Sequence, residues 1–428
     1  MPPVISARTL AQSLSAHMGE TISLQGWVHH TRHLSAVDFL LLRDRSGVCQ
    51  IVVELPEQRS LLATLPHESV VTVTGNVVAN RQAPGGVEVH APVIAPMVVP
   101  ASDPPFELYR PALDVHLPTR LDHAAVSLRH PQAIAAQRLT AAAMRGFRET
   151  LDSYGFTEIQ TPKLLETAPE GGANVFRVDY FGRDAFLAQS PQLYKQIMVG
   201  ALERVYEVAP AFRAEPHDTS RHVSQYLSLD AELGFIADHQ DVMAVLRDVI
   251  AGMIAAMHMV DAPGVVLPEV PAVIPQIHFR DALVLVGAPE DESDLAPEHE
   301  RALGEWALQE HGSAWCFVTG YPMKKRPFYT HPQPSDPTWS NSFDLLCMGL
   351  EITTGGQRLH RYEDYLAAIT AREMDPAPFA GYLEAFRTGM PPHGGFAIGL
   401  ERMIKQIVGA SNVREVMLFP RDMHRLAP

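Results

Sequence analysis

The sequence predicts an α+β chain of more than one domain, with a small β-barrel followed by a larger domain built on an antiparallel sheet flanked by helices. Three observations lead to this prediction. Residues 21–95 contain short β-branched segments between turns, residues 132–154 have the period of an amphipathic helix, and residues 209–235 alternate as two strands around a polar loop. Strands followed by mixed helices and strands are typical of separate domains.

Length and composition narrow the class of protein. At 428 residues the chain is too long for one small core, and its 46% hydrophobic and 19% charged residues are those of a globular protein. Cys49, Cys316 and Cys347 lack the spacing of a disulfide framework or a zinc site, which favours a cytoplasmic location. We find no secretory signal and no apolar run of membrane-spanning length, and we expect no membrane partner.

The charge distribution argues against a broad nucleic-acid-binding surface. The net charge is −15, and the first 100 residues hold 6 basic and 7 acidic residues. Any contact with nucleic acid must therefore be confined to a local surface that matches the shape of the nucleic acid, and cannot rely on a broad basic surface.

The β-branched segments within residues 1–103 predict an OB-fold, a small closed barrel. Phe39 stands in one of these segments, with Arg32 and Gln50 nearby in sequence. An aromatic ring with guanidinium and amide groups could bind an unpaired base. A core phenylalanine beside solvated arginines explains the same residues, and both interpretations stay open at this point.

Residues 104–130 are proline-rich and predict a hinge before a second domain at 131–428. The amphipathic helix at 132–154 repeats Leu139, Ala143, Phe147 and Leu151 on one face. It fits either a dimer contact or packing within one domain. Residues from about 240 to 335 are interpreted as an insertion packed on the sheet.

The strand at 226–235 has two distinct faces. The apolar face predicted to lie on the core holds Leu227, Leu229, Ala231, Leu233 and Phe235. The other face holds Tyr226, Ser228, Asp230 and Glu232, and on the preceding strand Arg213 and Glu215 share a parity if that strand extends so far. This polar face is either a ligand surface or a solvated hairpin.

Ser190 and Pro191 predict the start of a short helix. Its predicted buried stripe holds Leu193, Ile197 and Ala201, leaving Gln192, Lys195 and Gln196 on other faces. Lys195 is then either a solvated lysine or a ligand for an anionic group.

Two further segments carry candidate functional residues. A hairpin turning at Met348 and Gly349 would pair Leu346 with Glu351 and Asp344 with Thr353, which places Asp344 and Glu351 on one face. Such carboxylates suit Mg²⁺, although two surface acids fit as well. Near the C-terminus a strand at 396–398 meets a helix whose core stripe is Leu400, Ile404, Ile407 and Val408.

In this order the segments resemble the three signature motifs of class II aminoacyl-tRNA synthetases. These are the long helix with the strand ending at Pro162, then FRAE (212–215) with its return strand, then GLER (399–402). The segments QSPQLYKQ (189–196), SLDAELGF (228–235) and GLEITTGGQR (349–358) are similar to those of aspartyl enzymes of the archaeal type.

The resemblance implies a reaction and a set of partners. The chain would activate L-aspartate with ATP as substrate and Mg²⁺ as cofactor, and would transfer it to tRNA(Asp). His29 and Pro84 stand where enzymes strict for tRNA(Asp) have tryptophan and lysine, which implies that tRNA(Asn) is charged as well. The alternatives are an enzyme specific for tRNA(Asp) and an asparaginyl enzyme. A homodimer is also implied, and a tRNA-dependent amidotransferase becomes a partner if tRNA(Asn) receives aspartate.

The resemblance further implies roles for individual residues. Arg213, Arg402 and Glu351 would be catalytic. ATP would be bound by Arg213, Glu215, Arg221, His222, Tyr226, Glu351 and Arg402. Aspartate would be bound by Glu170, Ser190, Gln192, Lys195, Asp230, Thr354 and Arg358, with residues 170–172 as a lid. Mg²⁺ would be held by Asp344, Glu351 and Thr354, and the anticodon by His29, Arg32, Phe39, Gln50 and Pro84.

Overall fold

The computed structural model describes residues 8–166, 174–216 and 218–427. The chain divides into two compact units, with the boundary between His130 and Pro131. Among the described residues, no helix combines the length and the apolar character that crossing a membrane requires.

The first unit contains a closed barrel with neighbouring strands in the order β1, β2, β3, β5, β4. Its strands are β1 (Thr21–His33), β2 (Asp38–Arg43), β3 (Val48–Val53), β4 (Val70–Ala79) and β5 (Val87–Val98). Its helices are α1 (Pro56–Leu62), α2 (Leu117–Asp122) and α3 (Ala124–Ser127), with 3₁₀ turns at Ala11–His17 and Pro84–Gly86. The predicted barrel is confirmed.

Alternation along β1 builds the barrel interior, because Ile22, Leu24 and Val28 point inward and are at most 6% exposed. Gly26 allows β2 to approach β1 closely, since a Cβ at this position would lie 2.4 Å from the carbonyl oxygen of Arg43. A bulge between Val28 and His30 interrupts the pairing of β1 with β2.

The second unit is built on an eight-stranded sheet in the order β12, β13, β14, β15, β16, β11, β10, β6, with a smaller sheet in the order β7, β9, β8. The strands are β6 (Thr157–Glu158), β7 (Leu164–Leu165), β8 (Arg177–Tyr180), β9 (Arg183–Leu187), β10 (Arg204–Phe212), β11 (Gln225–Gly234), β12 (Gln276–His278), β13 (Trp315–Thr319), β14 (Ser342–Cys347), β15 (Leu350–Gln357) and β16 (His393–Gly399). The helices are α4 (Pro131–Ser153), α5 (Gln192–Leu202), α6 (His239–His258), α7 (Phe279–Val286), α8 (Pro297–His311), α9 (Tyr362–Ala371), α10 (Ala380–Arg387) and α11 (Leu400–Val408).

Helices α4 and α6 pack together on the core face of the large sheet. The predicted stripe of α4, which is Leu139, Ala143, Phe147 and Leu151, is at most 1% exposed. The two helices approach closely at Gly146, where a Cβ would lie 2.5 Å from the carbonyl oxygen of Gly252. The predicted antiparallel sheet with flanking helices is confirmed, with β6–β10 and β12–β13 as its parallel pairs.

The segment interpreted as an insertion packs α6 and α8 against the sheet and also contributes β12 and β13, which extend the sheet edge beyond β14. One detail of the predicted organisation is wrong. Phe235, predicted on the apolar face of β11, is 72% exposed with φ of 60°, because the strand ends at Gly234 and the chain turns there.

Candidate active site

A cleft of about 740 Å³, partly open to solvent, lies over β11, β15 and β16. It brings together all seven residues predicted to bind ATP, which are Arg213, Glu215, Arg221, His222, Tyr226, Glu351 and Arg402. Guanidinium groups, carboxylates and an aromatic ring thus converge on one concavity although they come from four segments of the chain. Such convergence of polar groups in a cleft is typical of a ligand site.

Arg213 and Glu215 reach the cleft from a loop and not from a strand. Strand β10 ends at Phe212, so it does not extend as far as the predicted shared parity of these two residues required. The two side chains still meet, with Arg213 Nη1 3.8 Å from Glu215 Oε1. The guanidinium carbon of Arg213 lies 5.6 Å from the centre of the Tyr226 ring, which is within cation–π range.

The loop between β10 and β11 also carries Arg221 and His222 to the cleft. Arg221 Nη1 donates to both oxygens of Glu300, at 3.0 and 3.3 Å. His222 Nε2 lies 3.6 Å from Glu215 Oε2, and its Nδ1 lies 2.6 Å from Thr219 Oγ1. The loop is therefore tied into the cleft by charged and polar contacts at both basic residues.

Helix α11 begins at the cleft directly after the glycine that ends β16. Arg402 Nη1 lies 3.8 Å from Glu351 Oε1. The neighbouring Glu401 accepts the backbone N–H of Leu227 at 3.0 and 3.1 Å, and burial raises the pKa of Glu401 to about 7. Glu401 thus joins α11 to β11 and holds the two walls of the cleft together.

The hairpin of β14 and β15 carries the predicted metal ligands. Leu346 pairs with Glu351 as predicted, but Asp344 pairs with Thr354 and not with Thr353. The reason is a bulge between Leu345 and Leu346, which shifts the register by one residue on β15. The bulge puts Thr354 on the face of Glu351, and Thr354 Oγ1 donates to Glu351 Oε1 at 3.2 Å.

Asp344 lies deeper than Glu351 and has its own cationic partner. Arg326 Nη2 lies 3.1 Å from each oxygen of Asp344. Burial raises the pKa of Asp344 to about 6 although the Arg326 charge opposes this shift. The donor set of Asp344, Glu351 and Thr354 consists of oxygens on one hairpin face, which fits the preference of Mg²⁺. No cluster of three or more His, Cys, Asp or Glu suited to a metal occurs among the described residues.

Beside this cleft, four charged side chains form a buried cluster. Lys195 Nζ donates to Asp230 Oδ1 at 3.0 Å and lies 3.2 Å from Glu232 Oε2. Arg358 Nε donates to Glu232 Oε1 at 3.0 Å. Burial alone would raise the pKa of Glu232, but the charges of Arg358 and Lys195 hold it below its usual value. Two cations and two anions are therefore held in the protein interior as interlocking pairs.

Helix α5 presents its polar side to this cluster. Its buried residues are Gln192, Lys195, Gln196 and Val199. Of the predicted stripe, Leu193 and Ile197 are half-buried and pack against an apolar cluster, whereas Ala201 is exposed. The prediction is therefore wrong for Ala201 and for the polar side of the helix, which is more deeply buried than the stripe. The physical reason is that ion pairs and hydrogen bonds within the unit satisfy the polar side. The helix begins at Gln192, one residue later than predicted, and Ser190 Oγ accepts the Gln192 N–H at 3.3 Å.

Of the predicted aspartate-binding residues, Ser190, Gln192, Lys195, Asp230 and Arg358 lie in or next to this cluster. Arg358 Nη2 donates to Gln192 Oε1 at 3.4 Å, and Ser228 Oγ donates to Asp230 Oδ2 at 2.5 Å. Thr354 lies on the hairpin that lines the cleft. Glu170 and the predicted lid at 170–172 lie outside the described residues.

Sequence reasoning missed several residues that support this site. Glu300 and Arg326 come from a region without recognisable motifs, and Glu232 had no assigned role. Behind α5, Gln196 Nε2 lies 3.0 Å from the Tyr365 hydroxyl and 2.9 Å from His393 Nε2. The only sequence signal for these contacts is polar residues inside otherwise apolar segments, and a buried polar group requires a partner.

In the first unit, three of the predicted anticodon-binding residues share the outer face of the barrel. Arg32 pairs directly with Phe39, and Leu41, two residues after Phe39, pairs with Gln50. Phe39 lies outside the buried barrel core, so the alternative of a core phenylalanine is wrong. Gln50 Nε2 donates to Glu88 Oε2 at 2.8 Å, which fixes its amide on this face.

His29 and Pro84 are placed differently from those three residues. Pro84 is exposed in the turn between β4 and β5. His29 is only 6% exposed, and its Nδ1 lies 3.3 Å from Arg43 Nη1. Burial and the Arg43 charge lower the pKa of His29 to about 4. The structure therefore does not bring the His29 ring to the surface that carries Phe39.

The family model described as tRNA synthetases class II (D, K and N) matches residues 116–423. The chain belongs to this family. A second model, described as an OB-fold nucleic acid binding domain, matches residues 22–97 of this class II synthetase. The fold and the enzyme class predicted from the sequence are confirmed.

The relatives of this class II synthetase match it over nearly its whole length. It is 48% identical to an Aspartate--tRNA(Asp/Asn) ligase of Thermus thermophilus, over 98% of this chain and 100% of the relative. It is 45% identical to an enzyme of the same name from Deinococcus radiodurans, over 98% of this chain and 99% of the relative.

Solved structures include both amino-acid specificities. Asparaginyl-tRNA synthetase of Pyrococcus horikoshii, complexed with asparaginyl-adenylate, is similar with a TM-score of 0.90 at 30% identity, covering 99% of this class II synthetase and 100% of that chain. Aspartyl-tRNA synthetase of Entamoeba histolytica is similar with a TM-score of 0.85 at 28% identity. The match covers 100% of this class II synthetase and 94% of that chain.

Proposed function

We propose that this synthetase activates L-aspartate with ATP and transfers it to tRNA(Asp) and also to tRNA(Asn). The observation on which the amino-acid assignment rests is the buried cluster in which Lys195 and Arg358 converge beside the cleft. Relatives at 48% and 45% identity bear the name Aspartate--tRNA(Asp/Asn) ligase, which supports the assignment.

Lys195 and Arg358 would bind the side-chain carboxylate of aspartate, while Asp230 with Gln192 would bind its α-ammonium group. Asparagine would present a neutral amide to the same two cations. Because hydrogen bonds from charged donors to a carboxylate are roughly twice as strong as those to a neutral group, such a pocket favours aspartate. Ser190 and Thr354 would line the pocket, and Glu170 would complete it from the lid.

ATP would occupy the cleft lined by the seven convergent residues. Tyr226 and Arg402 would enclose the adenine ring, and Glu215 would accept its amino group. Arg213 would bind the α-phosphate, and Arg221 with Arg402 and His222 would bind the γ-phosphate. The mixture of guanidinium groups with an aromatic ring in one cleft supports this arrangement.

Asp344, Glu351 and Thr354 would hold Mg²⁺, which supplies positive charge to the phosphate oxygens when it is bound. In the first step the α-carboxylate of aspartate attacks the α-phosphorus of ATP, and diphosphate leaves. Arg213 would stabilise charge on the phosphorus oxygens. In the second step the 3′-hydroxyl of the tRNA terminal ribose takes the aspartyl group, and AMP leaves. Neither step requires a nucleophile from the protein, so catalysis is positioning and charge stabilisation.

The barrel would read the anticodon. Phe39 would stack on the middle base, uracil, while Gln50 would bind its edge and Arg32 would add a further contact. The presence of His29 and Pro84, in place of tryptophan and lysine, supports relaxed choice between the two tRNAs. Because these tRNAs differ in the third anticodon base, weaker contacts there are sufficient to admit both.

An asparaginyl-tRNA synthetase is the second candidate, favoured by the TM-score of 0.90 to an asparaginyl-adenylate complex. ATP–pyrophosphate exchange separates the candidates, because the proposal predicts exchange with aspartate and none with asparagine. Charging assays with purified tRNA(Asp) and tRNA(Asn) then test the tRNA choice. Aspartylation of tRNA(Asp) alone would indicate a strict enzyme, and exchange driven only by asparagine would contradict the proposal.

We also propose that the protein is a homodimer in the cytoplasm. Its membership of the class II family supports the dimer. The absence of paired cysteines in the sequence supports the cytoplasmic location. If aspartyl-tRNA(Asn) forms, a tRNA-dependent amidotransferase would be the enzyme that converts it. Sedimentation of the purified protein tests the dimer, and mixing the mischarged tRNA with a cell extract and glutamine tests for the conversion.

A further inference from the structure

Glu300 on α8 connects two parts of the cleft that are far apart in sequence. Its side chain accepts Arg221 Nη1 at 3.0 and 3.3 Å. Its Oε2 also accepts the backbone N–H of Glu351 at 2.9 Å. Glu300 is only 4% exposed, so these bonds are made away from bulk solvent. One carboxylate thus joins the loop that carries Arg221 to the hairpin that carries Glu351.

The backbone of α8 is held firmly against that hairpin. A Cβ on Gly304 would lie 2.4 Å from the backbone nitrogen of Gly349, and a Cβ on Gly349 would lie 2.8 Å from Arg301 Cα. Helix and turn therefore touch backbone to backbone through glycines. This contact sets the distance from Glu300 to the hairpin, so backbone packing fixes the position of Glu300.

Arg221 keeps one edge of its guanidinium available to a ligand. Among the described residues its side chain uses only Nη1 in hydrogen bonds and ion pairs. The side chain is 20% exposed and lines the cleft. The edge formed by Nε and Nη2 has two parallel N–H donors, which match two oxygens of a phosphate group.

We infer that Glu300 is a positioning residue that aims the Nε–Nη2 edge of Arg221 at the terminal phosphates of the bound nucleotide. The Glu300 carboxylate binds Nη1, which is not part of that edge, and at the same time accepts the backbone N–H of Glu351. The identity of the nucleotide as ATP rests on the proposed function, whereas the positioning of Arg221 rests on the contacts alone. Glu300 touches neither substrate and acts through Arg221.

The inference is tested with Glu300→Gln and Glu300→Ala, with Glu305→Gln as the matched control because Glu305 is an exposed acid on the same helix. Binding of ATP and of AMP to each purified protein is measured by calorimetry, which requires no turnover. We expect Glu300→Gln to weaken ATP binding about 10-fold, since it loses a charged hydrogen bond, while AMP binding stays unchanged. In pyrophosphate exchange, the KM for ATP and for pyrophosphate should rise, and the KM for aspartate should not.

AMP lacks the terminal phosphates, so it separates positioning of Arg221 from general damage to the fold. Equal weakening of ATP and AMP in Glu300→Gln, or unchanged ATP binding, would overturn the inference. If Glu300→Ala does not fold, a double-mutant cycle is measured with Glu300→Gln, Arg221→Gln and the variant that carries both substitutions. The losses of ATP affinity in the two single variants should not add in the double variant. Wild-type protein that binds ATP but shows no exchange with aspartate would contradict the proposed function and leave the binding test of Glu300 intact.

Discussion

Arg358 Nε donates to Glu232 Oε1 at 3.0 Å, and the two side chains are 8% and 0% exposed. The other oxygen of Glu232 lies 3.2 Å from Lys195 Nζ. Both cations proposed to bind the substrate carboxylate therefore share a carboxylate that belongs to the protein. Glu232 sets the net charge of the pocket proposed for the amino acid, and this leads to two predictions.

Replacement of Arg358 by methionine should lower kcat/KM for aspartate by about 100-fold or more, because it removes one of two buried cations that would pair with the substrate. ATP–pyrophosphate exchange with variable aspartate measures this loss. Arg361→Met is the matched control, since Arg361 is exposed at the start of α9. A loss of equal size in Arg361→Met, or none in Arg358→Met, would exclude a specific role for Arg358.

Replacement of Glu232 by glutamine should destabilise the protein by about 3 kcal/mol or more, because a buried cluster of two cations and two anions loses one anion. Aspartate should then raise the thermal midpoint of the variant more than that of the wild type, since its side-chain carboxylate restores the balance of charge. Thermal unfolding with and without aspartate checks both effects. Equal protection of the two proteins would show that Glu232 does not control the pocket charge.

Replacement of Phe39 by alanine should impair tRNA charging and leave aspartate activation unchanged. Stacking on a base contributes about 1–3 kcal/mol, so the KM for tRNA should rise about 10-fold or more. Charging and pyrophosphate exchange are measured side by side. Val93→Ala, which removes an exposed apolar side chain from β5 of the same barrel, is the control. Loss of exchange activity in Phe39→Ala would point to a general folding defect.

The stability of the barrel should fall as the pH decreases from about 6.5 to about 4 because of His29. Its folded pKa is lowered to about 4, so between these values the unfolded chain binds a proton that the folded chain does not. The contribution of His29 is complete above pH 6.5 and falls by on the order of 3 kcal/mol at low pH.

Urea unfolding of wild type and His29→Gln between pH 4 and pH 8 measures this dependence as the difference between the two proteins. The difference should change across the acidic range and be constant above pH 7. His123→Gln, an exposed histidine in the same unit, should follow the wild type at every pH. A pH-independent difference for His29→Gln would show that the ring is not kept neutral by burial.

Patterns of short range predicted much of this architecture. The alternation of β-branched residues predicted the barrel, the i+4 repeat of Leu139, Ala143, Phe147 and Leu151 predicted the buried face of α4, and the period of two in 226–235 predicted β11. Each of these signals is a periodicity that burial of one face imposes on neighbouring residues. The residues that line the cleft were found through motifs that resemble those of a known family.

Errors arose where contacts distant in sequence decide the outcome. The polar side of α5 is buried because Asp230 and Tyr365 meet it there. A bulge opposite Leu346 places Thr354 on the face of Glu351. No local periodicity in the sequence encodes such a shift in register. Glu300 and Arg326 come from a region with no motif and acquire their contacts only when the sheet assembles.

The sequence by itself determined the two-part α+β architecture, the class II synthetase motifs and the set of residues that converge on the cleft. Only the tertiary structure decided how the charges are paired. Glu232 forms ion pairs with both Lys195 and Arg358. Glu300 pairs with Arg221, and Asp344 pairs with Arg326. The physical reason is that a periodic pattern reports whether a side chain is buried. The partner that neutralises a buried charge is chosen by distance in space, which no local pattern contains.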